Sequence, residues 1–297
     1  MQFKYYAAAL FSFVVWGVFS LVLKPLSNYA ALDILTYRVA FAAIVIAFIS
    51  LFFRYKITKE NIILIKSLAR KERFIIIFTT IFSSNMLALN WYLYIYVMNV
   101  VSVNATSLAY LICPILTTVL ASIFLKERLN IGQWVAVTLS ILSCLMLSYG
   151  HFMDMLYSVV IAFSYAVYLV LQKVSTKLDK FFTLTLHILI SALFLIPIGL
   201  DSNEGVMYSN QFYQYVLLIA VLFTIIPLFL NMFALKGLDS SVVGILLYIN
   251  PIISFLLAVF YFKESITLLQ ALAYGMIFMA VVIFNIAYLI RQKKLIV

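Results

Sequence analysis

Charged side chains are scarce in this sequence. They occupy 10% of its 297 positions, against roughly a quarter in soluble globular chains, which argues against an ordinary water-soluble enzyme or binding domain. Only two cysteines occur, Cys113 and Cys144, both inside apolar stretches, so neither a disulfide framework nor a metal-ligand spacing is present. A G-x-x-x-x-G-K-[ST] loop is missing, which argues against an ATP-driven pump within this chain. No G-x-S-x-G turn and no His or Cys cluster is found, and the reading is therefore of a protein that is not an enzyme and needs no metal or other cofactor. Carboxylates suited to carrying protons inside a membrane are few, with Asp33, Asp154 and Asp239 all at helix ends.

What is abundant is apolar sequence. Hydrophobic residues make up 66% of the chain, with a mean hydropathy of +1.15. They fall into ten blocks, at 4–24, 31–53, 74–98, 102–125, 131–149, 154–173, 180–200, 212–235, 240–262 and 267–290. Each approaches the roughly 20 residues that a helix needs to cross a hydrocarbon core. Continuous runs, in place of short alternating segments, predict helices and exclude a membrane β-barrel. The first block is longer than a signal-peptide core and lacks a small-residue cleavage site, so it is read as helix 1.

The net charge of +10 has a topological origin and calls for no nucleic acid. With the N-terminus cytoplasmic, 17 of the 20 Lys and Arg residues fall on the cytoplasmic side, including Arg54–Arg73, Lys173–Lys180 and Arg291–Lys294. Only Lys24 and Lys263 fall opposite, and Arg38 lies within helix 2. This positive-inside pattern predicts an inner-membrane, multi-pass protein with both termini cytoplasmic. Between helices 2 and 3, Thr58–Glu72 carries Ile62, Ile65 and Ala69 at helical spacing among charges, which predicts a short interfacial helix resting on membrane lipid.

The two halves of the chain resemble each other. An offset of 137 places Pro114 on Pro251, Lys126-Glu127 on Lys263-Glu264 and Gln133 on Gln270. An offset of 149 places Trp16 on Tyr165, Phe19 on Tyr168, Lys24 on Lys173 and Arg38 on His187. Five helices per repeat is an odd number, so the second copy must enter the membrane from the other side. The expected architecture is an all-α membrane domain of ten transmembrane helices, built as two inverted five-helix repeats over 1–149 and 150–297. Inverted repeats characterise many secondary transporters, in which a midplane site is exposed alternately to each side.

Polar groups within apolar helices mark the candidate substrate path. A charge at bilayer depth is costly, so Arg38 must face the interior, where it is suited to bind an anionic group or to gate; His187 is its repeat mate. Asn90 and Tyr94 share a helix face, as do Ser107 and Tyr110. Tyr168 and Asn231 join the set, and Tyr248 and Asn250 lie just before Pro251, a proline that frees the Leu247 carbonyl four residues back. Helix-to-helix hydrogen bonding is the competing explanation for each of these polar residues. Cys113 takes the place in the first half that Asn250 holds in the second.

These residues carry a family resemblance. WGVFSLVLK in helix 1, DILTYR entering helix 2, LNWYLYIYVMN in helix 3 and SLAYLICPILTTVLASIFLKERL in helix 4, with TIIPLFLNMFAL and GILLYINPIISFLLAVFYFKE in the second half, resemble the drug/metabolite transporter superfamily, EamA type, and within it the RarD-like permeases. The resemblance implies inverted five-helix repeats around a cavity lined by helices 1–4 and 6–9. The expected function is a secondary transporter, or permease, for a small polar organic metabolite such as an amino acid or a related compound, acting in efflux. A non-transporting receptor or assembly partner is the alternative. The sequence lacks a G-x-x-x-G face, so no oligomeric state is assigned.

Overall fold

The computed structural model describes residues 3–26, 28–100, 103–149, 152–174, 177–202, 208–261, 263 and 267–296. All regular structure among them is helical. Eight helices are long and apolar enough to cross a membrane: α1 (Phe3–Leu26), α2 (Ala31–Phe53), α4 (Arg70–Val97, continuing to Val100), α7 (Phe152–Val174), α8 (Lys180–Asp201, continuing to Ser202), α9 (Asn210–Ala234), α10 (Ser240–Tyr261) and α11 (Leu268–Arg291, continuing to Ile296). Two further apolar helices, α5 (Val103–Phe124) and α6 (Ile131–Leu147), complete the bundle. The 17 residues of α6 give a length of about 25 Å at 1.5 Å per residue, at the short end of what spans a bilayer. Large apolar side chains such as Phe11, Ile44, Phe78 and Leu193 point outward, a surface that water would penalise and lipid accepts.

The interfacial helix α3 runs Tyr55–Ser67, shorter at its end than the expected Thr58–Glu72. Leu68 turns to an extended conformation, φ −68° and ψ 149°, so Arg70–Arg73 become the first turn of α4. Long basic side chains tolerate that position because they reach the interface from an otherwise apolar helix. Asn61 ties α3 to the bundle by accepting a 2.9 Å bond from the Asp179 backbone N–H. A 3.3 Å Arg54–Asp179 ion pair lies beside it.

Which helices touch follows a rule. The principal pairings are α5 with α7, α4 with α7, α4 with α8, α1 with α10, α1 with α9, α2 with α9, α2 with α8, α5 with α10 and α6 with α11. Exchanging the first five apolar helices in order for the second five turns this set into itself. Details follow the same exchange. Asn90 on α4 donates to the Ile161 carbonyl on α7 at 3.0 Å, while Ser12 on α1 donates to the Pro227 carbonyl on α9 at 2.9 Å. Those four residues are mates under the offsets of 137 and 149.

Helix ends repeat the correspondence. Asn130 and Gln133 form a reciprocal cap at the start of α6, and Thr267 and Gln270 form another at the start of α11, each satisfying two otherwise unpaired N–H groups. Lys126 and Lys263 are the two non-glycine residues with positive φ among those described, at 55° and 57°. Both reverse the chain between a long helix and its successor, a left-handed conformation uncommon for side chains of this kind.

Candidate functional site

A cavity of about 690 Å³ occupies the bundle, within the usual range for small-molecule sites. Its floor and walls come from α1, α2, α4, α5, α7, α9, α10 and α11. Helix periodicity brings the residues to it: Ile34, Leu35 and Arg38 share one face of α2, and Asn90, Trp91, Tyr94 and Ile95 one face of α4. The cavity reaches Tyr29, Ala30 and Ala31, on the link between α1 and α2, and Ala30 is exposed. It therefore communicates with the end of the bundle away from the basic cluster.

Five of the sequence-derived candidates meet here: Arg38, Asn90, Tyr94, Tyr110 and Asn250. Arg38 is the one residue of formal charge in the lining, among the described residues. Its guanidinium carbon stands 5.1 Å from the centroid of the Trp91 ring, a cation–π arrangement. Its Nε is buried and has no hydrogen-bond partner. The Tyr94 and Tyr110 rings lie 5.5 Å apart. The Asn90 amide nitrogen is engaged by α7, at 3.0 Å from the Ile161 carbonyl and 3.2 Å from Ser164 Oγ, so this side chain also ties α4 to its neighbour.

Four candidates lie elsewhere. Tyr168, His187, Asn231 and Tyr248 are fully buried and do not line the cavity. Asn231 donates to the Tyr165 hydroxyl at 3.3 Å, which fixes a ring that does line it. Tyr168 packs between Tyr165, at 5.7 Å, and His187, at 5.6 Å, forming a layer beneath the cavity. The side chain of Ser107 lies outside the described residues. The Leu247 carbonyl, expected to be free because of Pro251, instead accepts from the Asn250 N–H at 3.1 Å. A tighter turn at Leu247–Tyr248 restores the bond that proline removes.

Several lining residues carried no strong signal of their own. Trp16 donates its indole N–H to the Phe223 carbonyl at 2.8 Å. That carbonyl belongs to the π-helical turn Val221–Ile225 in α9, a widened turn of the kind often found at functional sites, which also presents Thr224 to the cavity. Ser254 bonds to the Gly17 carbonyl at 3.2 Å, and a Cβ at Gly17 would approach Ile253 Cβ to 2.7 Å; the closeness of α1 and α10 depends on that glycine. Tyr274, stacked on Phe255 at 4.1 Å, brings the last helix to the wall. The resemblance implied helices 1–4 and 6–9. Among the described residues the seventh apolar helix, α8, contributes none to the lining, and the tenth, α11, contributes Tyr274.

The mouth is bordered by aromatic rings. Tyr29 and Ser209 share a 3.2 Å hydrogen bond, and the Tyr208 hydroxyl donates to the Asp33 carboxylate at 2.5 Å. That bond pushes the Tyr208 hydroxyl up to about 12. At the opposite end Arg54 pairs with Asp179, Lys177 with Glu72 at 2.8 Å, and Lys173 caps the end of α9 through the Leu235 carbonyl at 2.8 Å. The residues assigned to the cytoplasmic side by charge are thus neighbours in space.

Comparison with known proteins fits this geometry. The EamA-like transporter family matches residues 3–149 and again 153–286. The chain is 29% identical over 279 residues to an uncharacterized transporter, YojE, of Bacillus subtilis, covering 92% of this chain and 91% of that one. It is 30% identical over 276 residues to protein RarD of Streptomyces exfoliatus, covering 91% and 84%. With protein RarD of Escherichia coli the identity is 29%, covering 96% and 95%. A solved crystal structure 12% identical superimposes with a TM-score of 0.74 over 93% of this chain and 94% of the other, a likeness of fold.

Proposed function

The chain belongs to the EamA-like transporter family and is a multi-pass membrane transporter; on that premise we propose that it is a secondary transporter of the inner membrane that exports a small polar organic metabolite bearing an anionic group, by alternating access. The carrying observation is the cavity itself. One guanidinium, with an unpartnered donor and, among the described residues, no acidic residue in the surrounding lining, stands among aromatic walls. Such a site favours a carboxylate or comparable anion attached to an apolar or aromatic body. Amino acids and related compounds are the class to test first.

The inverted-repeat reading of ten transmembrane helices, with repeats over 1–149 and 150–297, has independent support. The principal helix pairings are unchanged by exchanging halves, the hydrogen bonds of Asn90 and Ser12 join mated positions, the reciprocal caps recur, and the family matches twice. Under the positive-inside orientation the cavity opens outward. The site residues in this reading are Arg38, Asn90, Tyr94, Tyr110 and Asn250 at the wall, with Ser107 added from sequence spacing alone. Tyr168, His187, Asn231 and Tyr248 act from beneath it.

Counterflow in proteoliposomes tests the reading. Vesicles loaded with a panel of amino acids and their derivatives should exchange a subset of them, and that exchange should cease in empty vesicles and need higher carboxylate concentrations with Arg38→Ala. Flux of carboxylates and of amines lacking the carboxylate at equal rates refutes the anionic-substrate assignment, and no flux of any small solute refutes transport.

A further inference from the structure

We infer that Tyr168, Gln172, Thr183 and His187 form a second, inward-facing vestibule that contacts the substrate and is collapsed in this structure; the inference rests on the alternating-access reading. It begins with the residues that line the open cavity. Phe19 and Leu23 on α1 and Ile34, Leu35 and Arg38 on α2 form one flank of that opening. An offset of 149 carries them onto Tyr168, Gln172, Thr183, Leu184 and His187.

The mated set lies at the other end of the bundle, and it is shut. Tyr168 is 0%, Gln172 2%, Thr183 1% and His187 2% exposed. Burial of polar side chains is ordinarily accompanied by hydrogen bonds. Here Tyr168 Oη, Gln172 Nε2, Gln172 Oε1 and His187 Nδ1 have none. A static core has no use for four orphaned polar atoms in one region. A path that fills with water and solute in another state of the protein does, because the groups are satisfied when the path is open.

The closure has an identifiable strap. Lys173, at the end of α7, donates to the Leu235 carbonyl at 2.8 Å and the Leu238 carbonyl at 2.5 Å, joining α7 to the link between α9 and α10. Lys173 follows Gln172 directly in the chain, so the strap adjoins the mated residues. Breaking it releases α7 from the second-half helices on the basic side of the bundle.

Cysteine accessibility tests this without needing an identified substrate. In a Cys113→Ala, Cys144→Ala background, Gln172→Cys and His187→Cys are labelled with a membrane-impermeant maleimide from the cytoplasmic side in inside-out vesicles. Leu23→Cys, the mate of position 172, is labelled from the outer side in right-side-out vesicles. Labelling at 172 and 187 should be slow with Lys173 present and rise several-fold with Lys173→Ala, while labelling at 23 falls. Ala166→Cys, buried in the same helix, should stay protected. If Lys173→Ala does not accumulate, Lys173→Met keeps the packing of the stem and removes the same bonds. Unchanged labelling at 172 and 187, or an equal rise at 166, overturns the inference. Transport without reciprocal labelling defeats it while leaving the proposed function standing, and reciprocal labelling without flux of the tested solutes does the reverse.

Discussion

Arg38 gives the sharpest prediction, because its surroundings separate charge from shape. Its guanidinium rests over Trp91 at 5.1 Å, its Nε is unpartnered, and the cavity lining holds no other formal charge among the described residues. A hydrogen bond to an ionised partner contributes about 1.5–3 kcal/mol, so removing it with Arg38→Ala should raise the half-saturation concentration for a carboxylate substrate by about 10- to 150-fold. Arg38→Lys keeps the charge but loses the planar fork and its stacking on Trp91, and should recover only part of that loss. The control is the matching amine lacking the carboxylate, whose exchange should be unimpaired or improved in Arg38→Ala, since a like charge has been removed. Counterflow with the two compounds in parallel reads both. An equal loss for both solutes would refute the reasoning and make Arg38 a packing residue.

Other consequences are local. Glu127 accepts from the Ser240 N–H at 2.7 Å, the Ser241 N–H at 3.0 Å and the Ser241 hydroxyl at 2.6 Å, capping α10 from the end of α5; Glu127→Ala should cost about 1–2 kcal/mol and lower the melting temperature in detergent by about 2–6 °C, and an unchanged melting curve refutes the cap. Tyr208 is held at about 12 against an ordinary 10 by its bond to Asp33. The neutral phenol is the form the folded protein prefers, so the mouth contact is complete below pH 10 and is lost as pH rises from 10 to about 12. A difference ultraviolet titration of the wild type against Tyr208→Phe should show the loss of one tyrosine ionising at about 12; loss of a group titrating near 10 refutes it. Gly199→Ala would drive a methyl group into the Thr36 side chain between α8 and α2. It should destabilise by about 1–3 kcal/mol, and a neutral effect in thermal unfolding would contradict that packing. Finally, Tyr168, Gln172 and Thr183 are more polar than their mates Phe19, Leu23 and Ile34. Export then predicts a lower half-saturation concentration from the cytoplasmic side, measured in vesicles of both orientations, and the reverse order refutes export.

The sequence disclosed different parts of this molecule to different degrees, and the reasons are physical. Helices were legible because apolar blocks of membrane length have no soluble alternative. The end of α3 was misplaced by several residues because the basic turn Arg70–Arg73 reads as surface although it begins α4. Arg38 announced itself through its cost at depth, and Asn90, Tyr94, Tyr110 and Asn250 as polar groups in apolar helices. Trp16, Tyr165 and Tyr274 did not, since an aromatic ring in a membrane helix is equally at home against lipid, core or ligand. The offsets nevertheless contained the missing information, for they pair Trp16 with Tyr165, and the two rings stand 6.2 Å apart in the structure. What the offsets left out was state. Residues mated by sequence are chemically comparable positions, yet Leu23 lines an open cavity while Gln172 is buried. On the alternating-access proposal the repeated sequence supplies two comparable vestibules of which this conformation opens one, and the difference between mates, not their likeness, then carries the information about how a substrate would pass from one side to the other.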